Sequence, residues 1–191
     1  TGEGGLAPYH TIGEGDVIMQ IGSGIFGVRN EDGTFSWEKF KEKASNPHLR
    51  CFEIKLAQGA KIRGGHVEGS KINEEIAEIR GVAPWKTVDS PNRHNQFHDL
   101  NSLFDFIDEM RNVGGKPVGI KIVMGGPDSA DDLAKLMQET GRGPDFVTVD
   151  GSEGGSGATY QEMADTMGLP ISSGLIYCDD ALRKYGVRDR V

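Results

Sequence analysis

The sequence predicts an α/β fold built on parallel strands. Three observations carry this. Short apolar runs alternate with segments whose apolar residues recur at helical spacing. Residues 117–124 (PVGIKIVM) are near-continuously apolar, broken only by Gly119 and Lys121, as suits a strand covered on both faces. The next strand-like run starts at Asp145, one βα unit further on (145 − 117 = 28 residues).

Each element has its own signal. Residues 16–21 (DVIMQI) form an apolar run that Gly22 ends, the first strand, and NEDG at 30–33 is turn chemistry. Residues 36–44 (SWEKFKEKA) put Trp37 and Phe40 on one helical face, and residues 50–57 (RCFEIKLA) are a strand with internal charges. Ile72, Ile76 and Ile79 fall at i, i+4 and i+7 of a helix that Gly81 stops. Residues 82–98 are polar and irregular. Asn101 is the expected cap of a helix carrying Leu103, Phe106, Ile107 and Met110, ended by Gly114 and Gly115. After the 117–124 strand, residues 129–140 are helical, with Leu133, Leu136 and Met137 inward and Gly141 as the stop. Residues 145–150 (DFVTVD) are the next strand. Residues 163–167 begin another helix, and a last one near 179–185 ends at Gly186. Neither a low-complexity tract nor a linker interrupts this order, so one domain is expected.

Composition narrows the function. Twenty-one Lys and Arg stand against 29 Asp and Glu, a formal net charge of −8. Nucleic acid and anionic membrane surfaces call for the opposite balance, so neither is an expected partner. No apolar run nears the roughly 20 residues that span a bilayer, and no secretory leader is expected before Thr1. Cys51 and Cys178 make neither a disulfide framework nor a CxxC pair. A reducing, cytoplasmic location follows as the expectation. Glycine stands out, 28 residues of 191, about twice the usual ~7%. It clusters between periodic segments, where it lets backbone approach a ligand closely.

Gly22-Ser23-Gly24-Ile25-Phe26-Gly27 matches GxGxxG after a strand, but the following VRNEDG is turn chemistry. A dinucleotide site needs a helix to open there, so that assignment is rejected. GGHVEGSK at 64–71 lacks both the Lys-Ser/Thr order and the leading strand of a P-loop. GSEGGSG at 151–157 follows a strand's C-terminal end and exposes many N–H groups. An anion or the edge of a flavin is its expected contact, against the alternative of a flexible loop.

Lys55 and Lys121 lie inside strands. Burial there is costly unless the ammonium meets a carboxylate, a phosphate or an electron-rich cofactor edge, or snorkels to the strand end. Two such lysines in different strands point to one shared site. Lys61, Arg63 and His66 follow in the glycine-rich loop after the Lys55 strand, a basic pocket suited to a small dicarboxylate. The five histidines have no regular ligand spacing; His94 and His98 are i, i+4 but share a loop segment with Pro91, so no metal is expected. No serine sits in GxSxG and no cysteine has an evident base, leaving hydrolytic nucleophiles without support.

Five strings then follow one another in order: TGEGGL at 1–6, QIGSGIFGV at 20–28, EIKLAQGAK at 53–61, VGIKIV at 118–123 and DGSEGGSGA at 150–158. The series resembles the FMN-binding synthase domain of glutamate synthase, a (β/α)8 TIM barrel of the FMN-linked type, over essentially all 191 residues. SPNRH at 90–94 is closer to the stand-alone, single-domain branch than to the long glutamine-dependent enzymes. The resemblance implies that reduced FMN passes a hydride to 2-iminoglutarate, formed from 2-oxoglutarate and ammonia, giving glutamate. It implies Glu3 as the acid near the imine, Lys61 as the group holding a substrate carboxylate, and His66 in the same pocket. It implies Gln20, Ser23 and Lys121 around the flavin, with Lys121 at the pyrimidine edge. Lys55, from its strand position, joins the substrate pocket. Gly151, Gly154, Gly155 and Gly157 join the flavin contacts.

The chain also departs from the family. The usual loop after Lys61 reads PGEGGQ; IRGGH at 62–66 is one residue shorter, with His66 in place of Gln. An FMN barrel acting on another small oxo or imino acid is therefore one alternative, and a non-catalytic module without cofactor is another. The glutaminase domain does not occur in these residues, nor do the cysteines of the family's iron–sulfur cluster, which would belong only to a downstream segment. A complete barrel takes about 250 residues. By register with the family these residues hold roughly strands two to six. They are thus expected to be part of one barrel domain with no second domain, an excised or nicked piece of a larger protein. Its partners would be a small dicarboxylate and, at open sheet edges, the remainder of that barrel or another copy. Alone, the piece is expected to hold FMN weakly or not at all and to be inactive.

Overall fold

The computed structural model describes residues 1–57, 65–153 and 166–191. Its strands are β1 (Val17–Ile21), β2 (Leu49–Lys55), β3 (His66–Val67), β4 (Val88–Asp89), β5 (Val118–Val123) and β6 (Val147–Asp150). Its helices are α1 (Trp37–Ala44), α2 (Glu74–Arg80), α3 (Leu100–Gly114), α4 (Asp131–Thr140) and α5 (Ile171–Lys184). Four strands form one parallel sheet in the order β1-β2-β5-β6, while β3 and β4 pair antiparallel as a separate ribbon. Among the described residues the sheet follows chain order without reversal and shows no switch point of the doubly wound kind. A singly wound parallel sheet is compatible with part of a (β/α) barrel. No described helix is long and apolar enough to cross a membrane.

Alternation along each strand divides the sheet into two faces. Met19, Ile21, Phe52, Ile54, Val118 and Ile120 are fully buried in one core with Phe40, Leu103, Phe104, Ile107 and Met110 of the helices. The residues between them carry the other face: Gln20, Glu53, Lys55, Gly119, Lys121, Thr148 and Asp150. The apolar run of β5 thus arises differently from the expected double covering. One face is sealed by helices; on the other, Gly119 leaves space that the Phe146 ring fills. At the sheet's N-terminal end, Asp145 accepts from Val118 N (2.7 Å) and from Arg111 Nε (2.8 Å), tying α3 to β5.

Local chemistry sets most boundaries near their expected places. Ser36 caps α1 by accepting from Lys39 N, and Asn73 caps α2 by accepting from Ile76 N at 2.9 Å. Gly81, Gly115 and Gly141 end α2, α3 and α4 in the left-handed region. Four expectations need correction. Ile72 lies before the α2 cap, buried outside the helix. Asp99, not Asn101, caps α3: its carboxylate accepts from Ser102 N, and Ser102 Oγ accepts from Asp99 N in return. The stretch 82–98 contains β4, too short to show a period. Helix α5 begins at Ile171, eight residues before Asp179, because Gly174 and two serines dilute the helical signal of its first turns. Of the helix expected at 163–167, residues 163–165 lie outside the described residues, and Thr166 and Met167 are turn and bend.

Candidate functional site

The polar face rises in tiers toward the carboxyl ends of the strands. In the middle tier Gln20 of β1 is the register partner of Glu53 of β2. Gln20 Nε2 donates to Glu53 Oε1 at 2.5 Å, and the Thr148 hydroxyl donates to the other Glu53 oxygen. Glu53 is only 8% exposed, so these donors replace the water it loses. In the upper tier Lys55 and Lys121 are register partners on neighbouring strands. Lys55 Nζ lies 3.1 Å from Glu3 Oε2, with the lysine side chain 10% exposed. Lys121 Nζ lies 2.8 Å from Asp150 Oδ2, with both side chains about one-fifth exposed.

Two glycine loops allow this arrangement. At Gly22 a Cβ would overlap the Glu3 carboxylate, so the glycine that ends β1 makes room for the acid that meets Lys55. At Gly24 a Cβ would sit 2.7 Å from Ser90 Oγ. Ser23 Oγ donates to Pro91 O at 2.5 Å and Ser90 N to Gly65 O at 2.8 Å, docking the β3–β4 ribbon beside the loop. No helix opens after Gly27: Arg29 and Phe35 form an isolated bridge and α1 begins only at Trp37. The rejection of a dinucleotide fingerprint therefore holds.

His94 sits beside the carboxyl end of β2, the strand that carries Lys55. It is 6% exposed and stacks on Phe97, with ring centroids 5.0 Å apart. Its Nε2 lies 3.0 Å from the Lys55 carbonyl, which only accepts, so Nε2 carries the proton. Burial pushes its pKa below the ordinary histidine value, against the opposing pull of that hydrogen bond. His94 Nδ1 and Gln96 Oε1 are buried without a partner.

The structure brings Glu3, Lys55 and Lys121 together at the strand ends, with Gln20 one tier below. His66 is turned elsewhere: its exposed Nδ1 lies 2.7 Å from Asp89 Oδ1 across the ribbon. Gly151 packs against the start of α5, where Glu153 Oε1 accepts from Ile171 N at 2.8 Å. The protein's own carboxylate thus takes the first N–H of that helix. Lys61, Arg63, Gly154, Gly155 and Gly157 lie outside the described residues. Within them the site is not a bare basic cluster, since each strand lysine faces a carboxylate. Glu53, Thr148, Asp150 and His94 are the site residues that sequence reasoning missed. Glu53 and Lys55 at i, i+2 on one strand, and Thr148 and Asp150 on another, were the available signal. Burial raises the pKa of both Cys51 and Cys178, the opposite of thiolate activation. No cluster of potential metal ligands occurs among the described residues.

Comparison with known proteins bears on the whole chain. The family described as "Conserved region in glutamate synthase" matches residues 1–191. The "Glutamate synthase large subunit-like protein YerD" of Bacillus subtilis is 53% identical over 191 residues, covering 100% of this chain and 36% of the relative. "Archaeal glutamate synthase [NADPH]" of Methanocaldococcus jannaschii is 31% identical over 196 residues, again 100% of this chain and 35% of the relative. "Glutamate synthase [NADPH] large chain" of Bacillus subtilis is 30% identical over 201 residues, of which this chain covers 12%. The chain thus spans about a third of the length of its first curated relatives.

Proposed function

Because the chain belongs to the glutamate synthase family, we propose that it forms part of an FMN-dependent barrel that reductively aminates 2-oxoglutarate to glutamate. The observation that carries this is the meeting of Lys55–Glu3 and Lys121–Asp150 above Gln20, at the carboxyl ends of parallel strands. Barrel enzymes place their chemistry at that end. The polar set suits a flavin ring: an amide and a cation share one face, Gln20 on β1 and Lys121 on β5. Gln20, Ser23 and Lys121 would hold the ring, with Lys121 supplying positive charge beside its pyrimidine edge. The chemistry supplied by bound, reduced FMN is hydride donation to 2-iminoglutarate, formed from 2-oxoglutarate and ammonia.

The chain's own groups orient the substrate and place a proton. Lys61 pairs with a substrate carboxylate. Lys55, desolvated at the strand end, fixes the Glu3 carboxyl, and Glu3 carries the proton exchanged at the imine nitrogen. Lys55 and Lys121 each already face a carboxylate, so in this reading Lys61 is the residue on which dicarboxylate affinity turns. The loop after Lys61, one residue shorter than the family's usual one, supports a second reading in which another small oxo acid is the substrate.

The experiment is a full-length preparation containing these residues, scanned for a flavin band and assayed with chemical reductant, ammonium and a panel of oxo acids. Glutamate formation that depends on added 2-oxoglutarate is the expected result. Lys61→Met should weaken 2-oxoglutarate about 10- to 150-fold, the worth of one charge-assisted hydrogen bond. A preparation without flavin, and unable to take it up, would sink the reading. Preference for another oxo acid would replace the substrate alone.

A further inference from the structure

The middle tier contains a buried carboxylate that the proposed reaction does not use. Glu53 accepts from two side chains on different strands, Gln20 of β1 and Thr148 of β6, and lies under the lysine pairs. A carboxylate offers only acceptors, so the side of the Gln20 amide that meets it must be Nε2. An amide's two ends are otherwise interchangeable in shape. With Thr148 holding the second oxygen, Glu53 cannot swing aside and let Gln20 turn over. No described residue donates to Gln20 Oε1, so the acceptor end of the amide is the end left for a ligand.

We propose that Glu53 is a positioning residue, orienting the Gln20 amide so that Oε1 accepts from the imide N–H of a flavin-type ring. This rests on the FMN reading above. The oxidised isoalloxazine ring has a single N–H, at N3, flanked by carbonyls that only accept. An unlocked amide could turn its NH2 toward those carbonyls instead. Glu53 therefore selects which edge of the ring Gln20 recognises, without touching the ring.

The full-length protein tests this with ¹⁵N-labelled FMN. The readouts are FMN affinity, by fluorescence quenching, and exchange of the N3 proton with water, by NMR. In the unmodified protein the N3 proton should be protected. Glu53→Gln can offer either end of its own amide to Gln20, so N3 exchange should quicken about tenfold. FMN affinity should fall about 3- to 10-fold, the range of one net hydrogen bond. The exchanged pair Gln20→Glu with Glu53→Gln restores the pattern: the amide at 53 donates to the carboxylate at 20 and accepts from Thr148. That double variant should regain protection, which a role in folding alone does not predict, and it decides the matter even if Glu53→Gln alone is unfolded. Unchanged exchange and affinity in a folded Glu53→Gln variant, or no rescue in a folded pair, overturns the proposal and leaves the flavin reading standing. Failure of the unmodified protein to bind FMN overturns both.

Discussion

On one face of the sheet Met19, Ile21, Phe52, Ile54, Val118 and Ile120 are sealed beneath helices. One residue away at each step, Gln20, Glu53, Lys55, Lys121 and Thr148 line the other face with polar groups. The same backbone ladder serves both, so the difference lies in what each face asks of its side chains. The apolar face asks for volume and shape, which are worth about 1.5–3 kcal/mol per large residue buried. The polar face asks for partners, because Lys55 and Glu53 are desolvated nearly as fully as the core. Glu3, Gln20 and Thr148 meet that cost without turning it into a gain, since paired buried charges roughly break even. Stability therefore resides on the helix-covered face, and the capacity to hold a polar ligand on the other.

The largest effect should come from Phe52. It is fully buried, and its ring centroid lies 4.4 Å from that of Phe40. Phe52→Ala should cost about 3–5 kcal/mol of stability, read as a lower denaturant midpoint with little change in slope. Next door, Lys55→Met keeps most of the stem's volume and removes the charge. Glu3 is one-third exposed and can rehydrate, so the stability loss should be only about 0.5–2 kcal/mol. A double-mutant cycle with Glu3→Gln should show coupling of about 1 kcal/mol. A Lys55→Met loss as large as that of Phe52→Ala would erase the distinction between the faces.

The apolar face was also the more legible in the sequence. Its strands and helices announce themselves by period, and their ends by Ser36, Gly81, Gly115 and Gly141. Lys55 and Lys121 were visible because a charge inside an apolar run needs a reason. Their carboxylates were not: Glu3 and Lys55 are 52 positions apart (55 − 3), and nothing local pairs Lys121 with Asp150 across two strands. His94 was passed over because its segment is irregular, and only the fold buries it under the end of β2. The two-residue ribbon of β3 and β4 had no period to show, and Gly174 disguised the first turns of α5.

His94 offers a pH test of the polar side. Its folded pKa is pushed down, chiefly by burial, while in the unfolded chain it should titrate near ~6.5. The unfolded state then binds the extra proton first as pH falls. The contribution to stability is complete above pH ~6.5 and is lost progressively as pH drops through the folded pKa. Glu3 is the nearby carboxylate that opposes this shift. His94→Phe keeps a ring to stack on Phe97 and removes the proton site. Denaturation midpoints between about pH 5 and 7.5 should slope less in the variant. An identical slope would mean that other groups carry the dependence.

The smallest effect is expected at Gly174, set against a glycine from the other side of the sheet. Gly174, inside α5, faces Met124 and Val149 on the helix-covered side. A Cβ there would meet Met124 Cβ at 3.4 Å and Val149 Cγ1 at 3.5 Å, ordinary contact distances. A glycine inside a helix costs roughly 0.5–1 kcal/mol relative to alanine, because the unfolded chain loses more freedom. Gly174→Ala should therefore stabilise the protein by about 0.5–1 kcal/mol and leave ligand binding unchanged. Gly119, on the polar side, has the opposite prospect. Its Cβ would overlap the carbons of the Phe146 ring. Moving that ring should cost about 1–3 kcal/mol and disturb Glu53, the register partner of Gly119, and its donor Thr148. Thermal melts of the two alanine variants, run side by side, should thus shift in opposite directions. If Gly174→Ala instead destabilises, α5 is seated on the sheet more tightly than these distances imply. The helix-covered face would then be as intolerant of added volume as the polar one.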